Sequence, residues 1–232
     1  MAKNSTAEIS KALKFQISES YKNARTNLAY SLIKKGCKKI VFTSPSKSEG
    51  KTSTAVNVAI ALSQQVDTKV AVIDCDLRRP EAHACLEVSP KYGLANYLNN
   101  ECSLEEAITK IDSPALDFIS YGVIPPNPSE LLSSQAMEDL VSELENMYDY
   151  IIFDTPPVNM VVDVIPMVRL VDGVVMVAKH NQTTHPEFKK AVDTLKRNKA
   201  KILGVIINQI PSVNVSKGGY YLRSKKSNTY YG

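Results

Sequence analysis

The chain has 232 residues, 44% of them hydrophobic and 22% charged, with a net charge of +4. This fits one large α/β domain, or at most two small ones, and excludes global disorder. The mild positive excess permits contact with acidic groups but demands neither nucleic acid nor a membrane surface, and no nucleic-acid partner is expected.

In chain order, a helix is expected over residues 18–35. Tyr21, Leu28, Leu32 and Ile33 give it a partial apolar face, and Gly36 can end it. A short β run follows over 39–43, then an alanine-rich helix over 52–64. VAVID, Val70 to Asp74, reads as a buried strand, and 116–120 as another. A helix is expected over 129–146, and a strand over 150–153 that runs into DTPP. Residues 174–178 and 202–207 give two more strands, separated by a helical pattern over 186–198. Short apolar strands alternating with helices indicate a parallel sheet covered on both faces, with its site beyond the carboxyl ends of the strands.

Two segments break that rhythm. GVIPPNPS, Gly122 to Ser129, is a loop of restricted shape because of its prolines. Residues 212–232 hold two tyrosine pairs, adjacent glycines and several basic residues, and are expected to form a mobile tail. No apolar run reaches the ~18 residues of a membrane span, and no secretory signal is present, so a cytoplasmic chain is expected. Cys37, Cys75, Cys85 and Cys102 form no C-x-x-C pair and are expected to be small buried hydrophobes. His83, His180 and His185 are too dispersed for a metal site.

The chemistry concentrates in three strand-end motifs. Ser44 to Thr52 lies between a strand and a helix, the setting of a phosphate loop, but Pro45 stands where the pattern G-x-x-x-x-G-K-[ST] has its first glycine. Backbone N–H groups of such a turn can cradle phosphate oxygens. Gly50 permits close approach, Lys51 can reach the β- and γ-phosphates, and the Thr52 hydroxyl can ligate magnesium. Ser48, Glu49, Gly50, Lys51, Thr52 and Ser53 are therefore the candidate nucleotide-binding set. Second, VIDCDLRRP puts Asp74 and Asp76 two apart at a strand end, where paired carboxylates call for a cation or a proton. Arg78 and Arg79 could bind phosphate or pair with acids. Third, Asp154 ends the apolar strand before Thr155–Pro156–Pro157, where it could support magnesium. Asp163 could line the site or cap the next helix, and Asp172 reads as a turn residue. Asn208 could face an adenine base or be an ordinary polar residue at a strand end.

SEGKTS, VIDCDLRRP and IIFDTPP resemble the Walker A, A′ and B motifs of the bacterial tyrosine kinases, within the wider MinD/ParA-like class of P-loop proteins. ESYKNARTN, Glu19 to Asn27, is similar to the family's N-terminal helix motif, and GVIPPNPSELL to its proline loop. The resemblance implies an α/β P-loop NTPase fold, with a mostly parallel central sheet and helices on both faces. It implies one kinase domain over 1–211 and a flexible tyrosine-rich tail over 212–232. It further implies ATP and Mg2+, with Lys51 on the phosphates and Thr52, Asp74, Asp76 and Asp154 organising the metal. The Asp74–Asp76 pair would also activate a tyrosine hydroxyl. Tyr220, Tyr221, Tyr230 and Tyr231 match the autophosphorylation cluster, and Glu19, Tyr21 and Arg25 match residues used between subunits of a ring, an octamer in the family. A transmembrane adaptor with a cytoplasmic tail would activate the kinase and recruit it to the inner face of the membrane. Other protein tyrosines would be further substrates, and the pathway would be capsule or exopolysaccharide synthesis and export.

The chain departs from the pattern at Lys47–Ser48, where family loops usually carry Pro-Gly. Ser48 requires backbone angles that suit a residue with a Cβ. Lys47 is also not at the position of the ParA-type signature lysine. Two other readings stay open at this point: a MinD/ParA-like ATPase switch, and a non-catalytic nucleotide-binding regulatory subunit.

Overall fold

The computed structural model describes residues 2–112 and 115–210. The chain begins with helix α1 (Ala2–Ser31), strand β1 (Lys38–Thr43), helix α2 (Lys51–Ser63) and strand β2 (Val70–Asp74). Three short helices follow, α3 (Ala82–Cys85), α4 (Leu94–Leu98) and α5 (Leu104–Ala107), then strands β3 (Ile108–Asp112) and β4 (Ala115–Ile119). The second half runs α6 (Pro128–Leu132), α7 (Gln135–Glu145), β5 (Tyr150–Asp154), α8 (Val164–Val168), β6 (Gly173–Lys179), α9 (His185–Arg197) and β7 (Ile202–Asn208). The seven strands form one sheet in the order β3-β4-β2-β5-β1-β6-β7, with only β3 antiparallel to its neighbour.

The strands read as unbroken apolar runs because both faces are covered. Successive side chains on a strand point to opposite faces. Ile40, Phe42, Val72 and Ile152 therefore enter a core with α1 and α2 residues such as Leu28, Val56 and Leu62. Val41, Ile73, Ile151 and Phe153 enter the other core, with Leu140 and Leu144 of α7, Met167 of α8 and Leu195 of α9. This double burial fixes the register that brings the ends of β1, β2 and β5 together. Phe42 pairs with Asp154, and Asp74 pairs with Asp154.

Several expectations need correction. The first helix is far longer than 18–35 at its start and ends at Ser31, and Ile33 is 94% exposed instead of packed. The single helix over 129–146 is two helices, because Ser134 leaves helical geometry and its hydroxyl accepts from Met137 N–H at 3.3 Å to start α7. The β3–β4 hairpin adds an antiparallel edge strand that the alternating pattern did not show. Cys37 and Cys75 are buried as expected, but Cys85 is exposed and Cys102 only half-buried. Among the described residues no helix is long and apolar enough to cross a membrane.

Candidate active site

The loop between β1 and α2 is built on two left-handed residues. Gly50 has φ 81°, and a Cβ there would lie 1.9 Å from the Asn208 amide nitrogen, so glycine is required on both grounds. Ser48 has φ 62° without being glycine, which costs on the order of 1–2 kcal/mol for an L-residue. The departure at Lys47–Ser48 thus does not abolish the loop; it gives the loop a strained residue that its surroundings must hold. Val158 N–H donates to Ser44 O at 2.9 Å, and Thr43 Oγ1 donates to Pro156 O at 2.9 Å. These bonds clamp the DTPP segment against the phosphate loop.

Lys51 is the electrostatic centre. Its Nζ donates to Asp154 Oδ1 at 2.6 Å and to Thr52 Oγ1 at 3.1 Å, and lies 3.6 Å from Asp76 Oδ2. Burial alone would lower the lysine's pKa, but the charges of Asp154 and Asp76 outweigh it and leave the pKa raised. Asp74 is fully buried, and both its oxygens accept backbone N–H groups, from Asp76 at 3.2 Å and Ala82 at 3.2 Å. Burial, followed by the charge of Asp154, holds its pKa well above the ordinary 3.8. Asp76 is raised too, by burial first, with Lys51 opposing. The two aspartates are therefore unequal. Asp74 shapes its own loop, while Asp76 presents an oxygen to the cleft.

A cavity of ≈ 160 Å³ opens here, lined by the phosphate loop, Asp76, Arg78, Arg79, Pro157 and Met160. Arg78 is held by Asp163 through Nε to Oδ2 at 2.6 Å and Nη2 to Oδ1 at 3.1 Å. Asp163 stands at the N-cap of α8, directly before Val164, but its side chain makes no capping bond; it is buried and holds Arg78, which lines the cavity. Asn208 reaches the phosphate loop and donates to Glu49 O at 3.1 Å. Asp172 is more than a turn residue: it accepts from Lys39 N–H at 2.8 Å and pairs with Lys34 at 2.7 Å.

The residues also fit a magnesium ion carried by phosphate. Asp154 Oδ2 is buried with no hydrogen-bond partner, and Lys51 Nζ bonds both the other oxygen of Asp154 and the Thr52 hydroxyl. Among the described residues no three acidic, histidine or cysteine side chains converge as a ready-made metal site. Magnesium suits such a site, because it is usually bound by one or two protein groups plus phosphate oxygens and water.

Of the proposed subunit-contact residues, Tyr21 packs on the α1–α2 core, and Arg25 Nη1 donates to Ala61 O at 2.8 Å within the same chain. Glu19 pairs with Lys22 on the exposed side of α1 at 2.8 Å. Tyr220, Tyr221, Tyr230 and Tyr231 lie outside the described residues. Sequence reasoning missed what Glu49 and Thr183 do for the loop. Glu49 occupies a variable loop position and Thr183 lies 134 residues away, so nothing local pointed to the pair.

A phosphate loop at the carboxyl edge of a mostly parallel sheet, with acids at the ends of the nearby strands β5 and β2, defines a P-loop nucleotide-binding protein, and the AAA domain family model matches residues 37–205. The fold alone is shared with a ParA family ATPase from Chlorobium tepidum TLS, at TM-score 0.63 and 20% identity over 76% of this chain and 75% of that one. More specifically, the chain belongs to the bacterial tyrosine-protein kinase family. It is 38% identical to tyrosine-protein kinase YwqD of Bacillus subtilis over 88% of this chain and 86% of that protein. It also matches the kinase domain of the Escherichia coli tyrosine kinase ETK at 30% identity and TM-score 0.80, covering 88% of this chain and 80% of that one.

Proposed function

We propose that the chain is an ATP-dependent protein-tyrosine autokinase, which transfers the γ-phosphoryl group to tyrosines in the 212–232 tail of a neighbouring subunit. The observation that carries this is the Lys51–Asp154–Asp76 cluster at the mouth of the phosphate loop. The family names of the relatives support the tyrosine acceptor. The four tail tyrosines supply acceptors within the chain itself.

In this reading the loop N–H groups and Lys51 bind the phosphates, and the Thr52 hydroxyl and Asp154 hold magnesium. Bound magnesium supplies charge neutralisation on the transferring phosphoryl group. Asp76 takes the phenolic proton, since a tyrosine with a pKa near ~10 needs an acceptor late in transfer. A bond forms between the tyrosine oxygen and the γ-phosphorus, the bond to the β–γ bridging oxygen breaks, and ADP leaves. Arg78, oriented by Asp163, faces the same cleft and binds phosphate charge. Each phosphotyrosine adds about −1.5 to −2 charges, which repels the tail from the nucleotide and from other tails and favours release. Ring assembly through α1, activation by a membrane adaptor and control of polysaccharide export belong to the same proposal.

The test is to incubate the pure chain with γ-labelled ATP and magnesium, with and without a candidate adaptor tail. Label on tyrosine supports the reading. Free phosphate without phosphotyrosine would make the chain an ATPase switch, and binding without turnover would make it a regulatory subunit.

A further inference from the structure

Glu49 is unusual for a residue inside a phosphate loop. Its side chain is 1% exposed, yet it is an acid beside the site for a polyanion. It does not point to solvent. One oxygen accepts the Ser46 N–H at 3.0 Å, from the opposite limb of the same loop. The other accepts the hydroxyl of Thr183, in the turn between β6 and α9. That hydroxyl in turn accepts the Lys179 N–H at 2.8 Å, at the end of β6. The Glu49 carbonyl accepts the Asn208 amide at the end of β7. Glu49 therefore ties the loop across itself and to the ends of two strands. Directly before it sits Ser48, in the left-handed region without being glycine.

We infer that Glu49 is a positioning residue: its buried carboxylate holds a glycine-poor phosphate loop in its anion-binding shape and couples it to the β6 and β7 ends. The inference rests on reading the cleft as a nucleotide site. Physically, a loop that begins with Pro45 and carries Ser48 lacks the usual freedom to arrange its N–H groups around phosphate. The Glu49 side-chain oxygen satisfies the Ser46 N–H with a hydrogen bond that spans the loop. Placed across the loop, that bond offsets the tendency of Ser48 to relax to a right-handed conformation. Glu49 touches neither reacting atom nor phosphate in this role, so it acts on affinity through the loop.

The test measures dissociation constants of fluorescent ATP and ADP analogues on the full chain, with melting temperature recorded alongside. Glu49→Ala is expected to weaken both analogues about tenfold or more. Glu49→Gln should recover most of that loss, because its carbonyl can accept from Ser46 and its amide can donate to Thr183. Adding Ser48→Gly to Glu49→Ala should restore about threefold or more, because glycine accepts the left-handed geometry unaided. If Glu49→Ala does not fold, Glu49→Asp carries the test, since its shorter stem cannot span both partners. Wild-type affinity in Glu49→Ala, with only the melting temperature lowered, would overturn the inference. So would Glu49→Gln falling as far as Glu49→Ala. If the wild-type chain binds neither analogue, the nucleotide reading fails with it; if only the variants match wild type, this inference alone fails.

Discussion

The phosphate loop and the loop after β2 leave nearby parts of the same sheet edge, and each is folded round a buried carboxylate that accepts at least one backbone N–H of its own loop. They differ in reach. Asp74 spends both oxygens within its own loop, on Asp76 and Ala82. Glu49 spends one oxygen on its own loop and one on Thr183, 134 residues away. The loop after β2 is thus set locally, and it delivers Asp76 to the cleft. The phosphate loop is set by the ends of the neighbouring strands β6 and β7, close in the sheet but distant in sequence. A glycine-poor loop can be kept in shape by long-range side-chain bonds where local backbone freedom is missing.

The largest expected effect comes from the residue both loops face. Lys51→Met should reduce tyrosine phosphorylation by about 10³-fold or more, because it removes the cation that balances Asp76 and Asp154 and that the proposed reaction places on the phosphates. Radiolabel transfer checks it, and near-normal transfer would separate the cluster from the chemistry. Asp154→Asn should follow, at about 10²-fold or more, with a higher magnesium requirement in a magnesium titration of the rate. An unchanged magnesium requirement would assign the orphaned oxygen another role.

Asp74→Ala tests the local loop. It strands two backbone N–H groups and should cost about 2–4 kcal/mol in urea unfolding. Cys75 lies inside that loop, fully buried, with burial and the Asp74 charge holding its thiol well above the ordinary value. In the native chain it should resist thiol labelling at pH 8, and in Asp74→Ala it should react, while Glu49→Ala leaves it protected. Equal exposure of Cys75 in both variants would break the contrast between the loops. The smallest effect is Arg25→Ala, which removes the bond to the α2 carbonyl of Ala61 and should cost about 1–2 kcal/mol in stability.

The sequence made the central strands and the candidate site motifs legible because each is local. VAVID and YIIFD are apolar runs ending in an acid, and Gly50–Lys51–Thr52 stands between a strand and a helix. The missed features depend on distant partners. Arg78 meets Asp163 across 85 residues, which settles Asp163 against a capping role that local pattern alone left open. The break between α6 and α7 lacks glycine or proline, and its cause is a serine cap that resembles an ordinary helical serine in sequence. Strand β3, ITKID, is only partly buried at the sheet edge, so it lacks the apolar run that marks the central strands.

The central claim is that one subunit phosphorylates the tail of another. The direct measurement mixes a Lys51→Met chain that keeps its tail with an active chain ending at residue 211, under labelled ATP and magnesium, and maps phosphotyrosine by mass spectrometry. The account predicts label on the inactive chain among Tyr220, Tyr221, Tyr230 and Tyr231. An unlabelled tail in that mixture, alongside a full-length wild-type chain that does label itself, would contradict transfer between subunits.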